Sequence, residues 1–223
     1  MQIIGHRGAA GLAPENTLQS IQAALRAGVD AVEVDVRVTS DGMVVLCHDK
    51  HIVDATGAKQ LVRKNTYKVL KKINPDLALL SEALKIVAGT CQIIVEIKPG
   101  EPCKPIVAVL QDESKKSNIP AGVAFASFDV HILQHIRHAL PEIPLIVCDS
   151  WSGVRATRRA RRLGTAWLFM NERWLWRGFV RMMQQNGFRL SVYTVDNPKR
   201  IARWQPFLYG VITNHPERFH RSN

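Results

Sequence analysis

No stretch of this 223-residue chain stays apolar for long. Runs such as Ile93 to Val95 and Val44 to Cys47 fall far short of the ~20 residues a helix needs to cross a bilayer. The segment Met1 to Arg7 has neither the basic start nor the long apolar centre of a signal peptide, and neither end carries a lipidation signal. The four cysteines, Cys47, Cys91, Cys103 and Cys148, form no Cys-x-x-Cys pair. That argues against a disulfide or zinc framework and for buried free thiols in a reducing, cytoplasmic setting. Internal repeats and low-complexity linkers are absent, so residues 1–223 read as one domain, large enough to bury its own core. Acidic residues are scarce: 19 Asp and Glu face 30 Lys and Arg, a net charge of +11. The excess calls for an anionic partner, such as phosphate, nucleic acid or an acidic membrane face.

What is present is a regular alternation of short apolar runs and longer amphipathic ones. Strand-like runs lie at Gln2–Gly5, Ala31–Val38, Gln92–Ile97, Val123–Ala126, Leu145–Cys148, Ala166–Met170, Leu190–Tyr193 and Leu208–Thr213. Helical spacing marks Thr17–Ala27, Ser81–Ala88 (with Ser81 and Asp76 as candidate caps), Ile106–Lys116, Val130–Ala139, Val154–Leu163, Trp174–Gln185 and Pro198–Trp204. Asp41-Gly42 is a turn signal leading to a hairpin strand, Val44–Cys47. Lys50–Pro75 is the least regular part. Repeated βα units imply a parallel sheet, and eight of them match a closed (β/α)8 barrel of the α/β class. A doubly wound open sheet is disfavoured, because no Gly-x-Gly-x-x-Gly opens a helix after the first strand.

In such a barrel chemistry sits at the C-terminal ends of the strands. His6 and Arg7 follow the first strand. Glu33 and Asp35 interrupt the second, two apart and therefore on one face, with Val32, Val34 and Val36 on the other. Glu96 interrupts the third, with Lys98 two further on, and His48-Asp49 follows the hairpin strand. Taken singly, each has an ordinary structural reading: an exposed edge, an ion pair, a turn. Their conjunction at successive strand ends points to a site. Neighbouring carboxylates repel unless a cation joins them, and three acidic side chains without cysteine suit a hard divalent ion, Mg²⁺ or Ca²⁺.

His6-Arg7-Gly8, Pro14-Glu15-Asn16-Thr17, Glu33-Val34-Asp35-Val36, Asp41-Gly42, His48-Asp49 and Glu96-Ile97-Lys98 occur in that order. Ser127-Phe128, Tyr193-Thr194-Val195 and Ile212-Thr213-Asn214 with Pro216 follow downstream. Together they resemble the glycerophosphodiester phosphodiesterase family, in a compact bacterial-type cytosolic form. The resemblance implies a TIM barrel, one divalent metal ion, and hydrolysis of a small-molecule glycerophosphodiester to sn-glycerol 3-phosphate and an alcohol, in glycerophospholipid degradation. It also implies Glu33, Asp35 and Glu96 as metal ligands, and His6 and His48 as the acid/base pair, with His6 as base. Arg7 and Lys98 are then the phosphate-binding cations. Two departures concern site enclosure and substrate choice. The insertion after the second strand, Lys50–Leu80, is shortened, with Asp76-Leu77-Ala78-Leu79-Leu80 leading into the next helix. Asp54-Ala55-Thr56 stands where the family often has Arg-Thr-Thr.

The helix Val154–Leu163 carries Arg155, Arg158, Arg159, Arg161 and Arg162, and Arg173, Arg177 and Arg181 lie near Trp174 and Trp176. A solvated outer face is the preferred reading. A membrane-associated lysophospholipase D, through peripheral contact with anionic lipid, is one rival. A non-enzymatic basic nucleic-acid-binding module is another, and the charged strand-end set argues against it. The histidines outside that set, at 51, 131, 135, 138, 215 and 220, read as surface residues. Phe128 and Tyr193 are candidates either for walls of the site or for core aromatics.

Overall fold

Period-two alternation decides which way each strand presents its side chains. In a computed structural model, which describes residues 1–115 and 122–219, that alternation builds a closed barrel. In chain order the elements are β1 (Gln2–Gly5), α1 (Leu18–Arg26), β2 (Ala31–Val38), β3 (Val44–Leu46), β4 (His51–Val53), β5 (Lys59–Leu61), α2 (Tyr67–Ile73), α3 (Leu80–Val87) and β6 (Gln92–Ile97). They continue with α4 (Cys103–Lys115), β7 (Val123–Ser127), α5 (Val130–Ala139), β8 (Leu145–Asp149), α6 (Gly153–Arg162), β9 (Trp167–Asn171), α7 (Arg177–Gln185), β10 (Arg189–Tyr193) and β11 (Gly210–Thr213). Eight strands, β1, β2 and β6 to β11, pair in parallel around the ring. β11 returns to β1 (Ile3 opposite Val211), and β1 meets β2 (Ile4 opposite Ala31). The exception to the parallel order is β3, which runs antiparallel along the C-terminal half of β2.

Two cores result. Val32, Val34, Val36 and Val38 of β2 face outward and pack with the helices, as do Ile93, Val95 and Ile97 of β6. Ile4, Ala31, Ile94, Ala124, Ala126, Ile146, Cys148, Phe169 and Ile212 fill the interior around Trp167. Three alanines leave room for that one large ring, whose indole N–H donates to Ser191 Oγ at 3.1 Å. A buried Trp needs such a partner. The C-terminal ends of β2 and β6 break the apolar filling, because the inward positions there are Glu33, Asp35 and Glu96.

The region expected to be irregular holds structure of its own. β4 and β5 form a small hairpin, and with α2 they enclose a separate core of Val45, Ile52, Val62, Leu70 and Leu77. Asp54 makes the hairpin turn, its Oδ1 accepting from the backbone N–H of Thr56 (2.9 Å) and Ala58 (3.0 Å). Neither Ser81 nor Asp76 caps α3. The Glu82 carboxylate accepts the Leu79 N–H at 2.7 Å instead, satisfying a donor that would otherwise be orphaned. α4 starts at Cys103, and the expected last residue, Lys116, lies outside the described residues, as does His220. Trp174 belongs to a short 3-10 turn, Glu172–Trp174, ahead of α7. The expected helix Pro198–Trp204 is replaced by two 3-10 turns, Pro198–Arg200 and Ala202–Phe207. Pro206 has no N–H to continue an α-helix. All four cysteines are free. Cys91 and Cys148 are buried, whereas Cys47 and Cys103 are only half-buried.

Candidate active site

The β1–α1 connection is a backbone device. Arg7 (φ +49°) and Gly8 (φ +83°) are both left-handed. At position 8 a Cβ would lie 2.3 Å from Ser20 Oγ, so glycine is required. The turn aims the Arg7 N–H at Glu33 Oε2, 2.9 Å away, and Ser20 Oγ donates to the Arg7 carbonyl. Asn16, also left-handed, grips Asp35 twice. Its Nδ2 donates to Asp35 Oδ2 (2.9 Å), and its Oδ1 accepts the Asp35 N–H (3.0 Å).

Asp35 and Glu96 stand opposite each other in the β2–β6 ladder, and Glu33 lies two residues back on the same face. One oxygen from each of the three falls within 4.8 Å of the others. Lys98 Nζ reaches both Asp35 Oδ1 and Glu96 Oε1 at 2.5 Å. Arg7 Nε lies 3.2 Å from Asp35 Oδ2, and its NH1 spans both Glu15 oxygens (2.8 and 2.7 Å). Two cations thus face two buried acids, Glu33 and Asp35, and the half-buried Glu96. Burial first, and then the charges of Asp35 and Glu96, raise the Glu33 pKa well above the usual carboxylate value. Burial likewise raises Glu96. Burial opposes the ionised form of Asp35 too, but Lys98, Asn16 and Arg7 outweigh it and lower that pKa. Glu33 Oε1 is buried with no hydrogen-bond partner. An acceptor left unmatched beside two further carboxylates suits a divalent cation, and the all-oxygen donor set suits a hard one.

The two histidines flank this cluster. His6 Nδ1 meets Asn214 Oδ1 at 2.7 Å. The Asn214 amide is oriented by Asp196: Nδ2 donates to Asp196 Oδ2 (2.9 Å) and the backbone N–H to Asp196 Oδ1 (2.8 Å). With its NH₂ committed, Asn214 can only accept from His6. That places the neutral imidazole proton on Nδ1 and leaves Nε2 as a free base. Burial, the largest cause, lowers the His6 pKa, so the ring favours this neutral form. His48 is 38% exposed at its side chain, and its Nδ1 contacts Asp49 Oδ1 at 2.8 Å. Its carbonyl is held by Arg37 Nε and NH2 (2.9 and 2.8 Å), and Arg37 is itself paired with Glu101.

All seven residues singled out from the sequence, His6, Arg7, Glu33, Asp35, His48, Glu96 and Lys98, line one cleft of about 410 Å³. The opposite wall is Phe128, Phe169, Asn171, Tyr193, Thr194 and Ile212. Phe128 and Tyr193 meet edge to face at 6.2 Å, and the Tyr193 hydroxyl bonds Ser150 Oγ at 2.8 Å. Both aromatics are therefore walls of the cleft. The remaining described histidines stay outside it. His131, His135 and His138 are exposed, while His51 and His215 are half-buried, His215 packing over Gly11 and bonding Glu217. Asn16 and Asn214 lie within recognised motifs, but their roles appear only when contacts across 19 and 208 positions are seen. Asp196 and Asn171 carry no signal in the sequence.

A (β/α)8 barrel with acids, cations and histidines gathered at its C-terminal mouth is an enzyme architecture made for an anionic substrate. The profile described as Glycerophosphoryl diester phosphodiesterase family matches residues 6–218. A glycerophosphodiester phosphodiesterase of Caldanaerobacter subterraneus is 25% identical over 96% of this chain and 94% of its own. One from Bacillus subtilis is 26% identical over 98% and 85%. Among solved structures, a phosphodiesterase of Oleispira antarctica in complex with the product sn-glycerol-3-phosphate superposes with a TM-score of 0.84 at 23% identity, covering 98% of this chain and 94% of its own. The glycerophosphodiester phosphodiesterase of Thermotoga maritima gives 0.82 at 24%, covering 97% and 96%. The chain belongs to the glycerophosphoryl diester phosphodiesterase family. It is therefore an enzyme of the phosphoric diester hydrolase class, and the non-enzymatic basic module is set aside.

Proposed function

We propose that the protein, as one domain over residues 1–223, hydrolyses soluble glycerophosphodiesters to sn-glycerol 3-phosphate and an alcohol, in glycerophospholipid breakdown in the cytoplasm. The observation that carries the reading is the orphaned Glu33 Oε1 inside a three-carboxylate cluster that two histidines flank. Glu33, Asp35 and Glu96 would hold one Mg²⁺ or Ca²⁺, which supplies Lewis-acid polarisation of a phosphate oxygen when bound.

The chain's own groups do the rest. Arg7 is pre-aimed by its left-handed turn and offers its planar fork to phosphate oxygens, with Lys98 as a point charge beside it. His6 Nε2 takes the proton of the attacking glycerol 2-hydroxyl. The Asn214–Asp196 chain keeps His6 in the tautomer that can do so. His48, held by Asp49 and by Arg37 through its carbonyl, returns a proton to the leaving alcohol oxygen. The cyclic phosphate that forms, bridging the glycerol 2- and 3-oxygens as the alcohol leaves, is opened by water at the 2-oxygen bond with the two histidine roles exchanged. Among the described residues no helix is long and apolar enough to cross a membrane.

The test is a screen of glycerophosphocholine, glycerophosphoethanolamine and glycerophosphoglycerol, with added Mg²⁺ or Ca²⁺ and sn-glycerol 3-phosphate as readout. Release from at least one is expected. Absence of product from all three with either ion overturns the reading.

A further inference from the structure

Ten of the chain's eleven net positive charges fall within residues 151–207, where twelve Lys and Arg face two Asp and Glu. Ten of them sit on α6, on α7 and on the 3-10 turns after β10, with Arg173 in the 3-10 turn ahead of α7 and Arg189 at the start of β10. Because β8, β9 and β10 are neighbours in the barrel, these elements form one continuous arc of its outer ring. Eleven of the twelve side chains are exposed. α6 buries only Gly153, Ala156, Thr157 and Ala160; Arg155 and Arg159 lean on the buried Asp149, and Arg158, Arg161 and Arg162 turn outward. Like charges one turn apart, such as Arg158 and Arg162, repel and contribute nothing to folding.

The same arc bears large apolar side chains that the fold leaves in water: Trp151 is 78% exposed, Val154 67% and Trp176 56%. Barrel helices run back from the mouth, so these positions, just after β8 and at the starts of α6 and α7, lie on the mouth rim. They are continuous with the cleft. Trp151 follows Ser150, whose hydroxyl bonds Tyr193 in the apolar wall and whose carbonyl accepts Trp174 Nε1 at 3.2 Å. Indole rings interleaved with arginines match the interfacial layer of an anionic bilayer.

We propose that this rim docks the mouth of the barrel on an anionic lipid surface. Trp151, Val154 and Trp176 enter the headgroup layer, and arginines of α6, of α7 and of the 3-10 turn ahead of it, Arg173 among them, meet lipid phosphates. The proposed hydrolysis is needed only to make the cleft's orientation useful; the binding stands without it.

The test is sedimentation with vesicles of phosphatidylcholine containing one third phosphatidylglycerol, and with phosphatidylcholine alone, while turnover of glycerophosphocholine, glycerophosphoethanolamine and glycerophosphoglycerol with added Mg²⁺ or Ca²⁺ is followed in parallel. The parent is expected to bind the anionic vesicles, lose them as salt rises, and ignore the neutral ones. The double variant Trp151→Ala/Trp176→Ala should bind about tenfold less, and Arg173→Gln/Arg177→Gln should lose about fivefold per arginine. Both variants should keep parental turnover in solution. Equal binding to both vesicle types, no binding to either, or undiminished binding by the tryptophan variant overturns the proposal. So does a short DNA duplex that displaces the vesicles and binds the tryptophan variant as well as the parent. Vesicle binding without turnover supports the surface and sinks the hydrolysis, whereas turnover without vesicle binding does the reverse.

Discussion

The two sides of the cleft are built on opposite principles. β1, β2 and β6 bring two buried carboxylates, a half-buried third, an arginine and a lysine within a few ångströms, whereas the wall from β7, β9, β10 and β11 presents, among the described residues, no charged side chain. The acidic side is costly to fold. Burying ionised groups is offset only where partners match them, and Lys98 and Arg7 match two acids, not three. Glu33 is the remainder, and its raised pKa and unpaired oxygen record the mismatch. The apolar wall carries no such debt and is held by ring contacts and one hydroxyl pair. Frustration concentrated on one side marks where chemistry is expected, and relaxed packing marks where substrate is shaped.

The comparison breaks most visibly at the histidines. His6→Ala or His48→Ala should lower kcat by about 10²–10⁴-fold with the fold intact, checked by steady-state kinetics and circular dichroism. Parental turnover in either would remove that residue from the mechanism. Next comes the support behind His6. Asn214→Ala frees the ring to take either tautomer and should cost about 10–100-fold in kcat, with the acid limb of the pH–rate profile displaced and KM little changed. A change in KM alone would make Asn214 a substrate contact instead.

A third test lies outside the cleft. Asp149 is buried and accepts Arg155 Nε and NH2 at 2.6 and 2.8 Å. Its burial opposes ionisation, but the Arg155 bonds and two backbone N–H groups lower its pKa. Its stabilising effect is therefore complete above the unfolded value of about 3.9 and is lost as pH falls through the lower folded value. Asp149→Asn should flatten this part of the acid limb in urea-unfolding measurements; an unchanged slope would show that Asp149 does not carry it. The smallest effect belongs to the apolar wall. Tyr193→Phe removes the Ser150 hydroxyl pair and should cost about 1 kcal/mol by thermal unfolding, with kcat within a few-fold of the parent. A loss of kcat on the histidine scale would make Tyr193 part of the chemistry.

The acidic side was also the more legible one. A strand buried on both faces is expected to be apolar throughout, so Glu33, Asp35 and Glu96 stand out as interruptions, and period two puts Glu33 and Asp35 on one face; that Glu96 joins them follows from the β2–β6 register. β1, β2, β6 and α5 fall at the expected residues because their apolar pattern is long enough to read. β4 and β5, three residues each, are too short for alternation to register, and their hairpin rests on Asp54 hydrogen bonds instead. Asp196 and Asn171 were hidden for another reason. A polar residue after a strand is ordinary, and what makes Asp196 matter is its partner Asn214, 18 residues on.

The account's central claim is that the unmatched acid on β2 serves a divalent cation. Calorimetric titration of Mg²⁺ and Ca²⁺ into EDTA-treated parent and Glu33→Gln, with sn-glycerol 3-phosphate release measured on the same samples, tests it most directly. One binding site per chain in the parent is expected, weakened at least about tenfold in the variant, with activity rising as the site fills. Full activity in EDTA, with no binding of either ion by the parent, would contradict it.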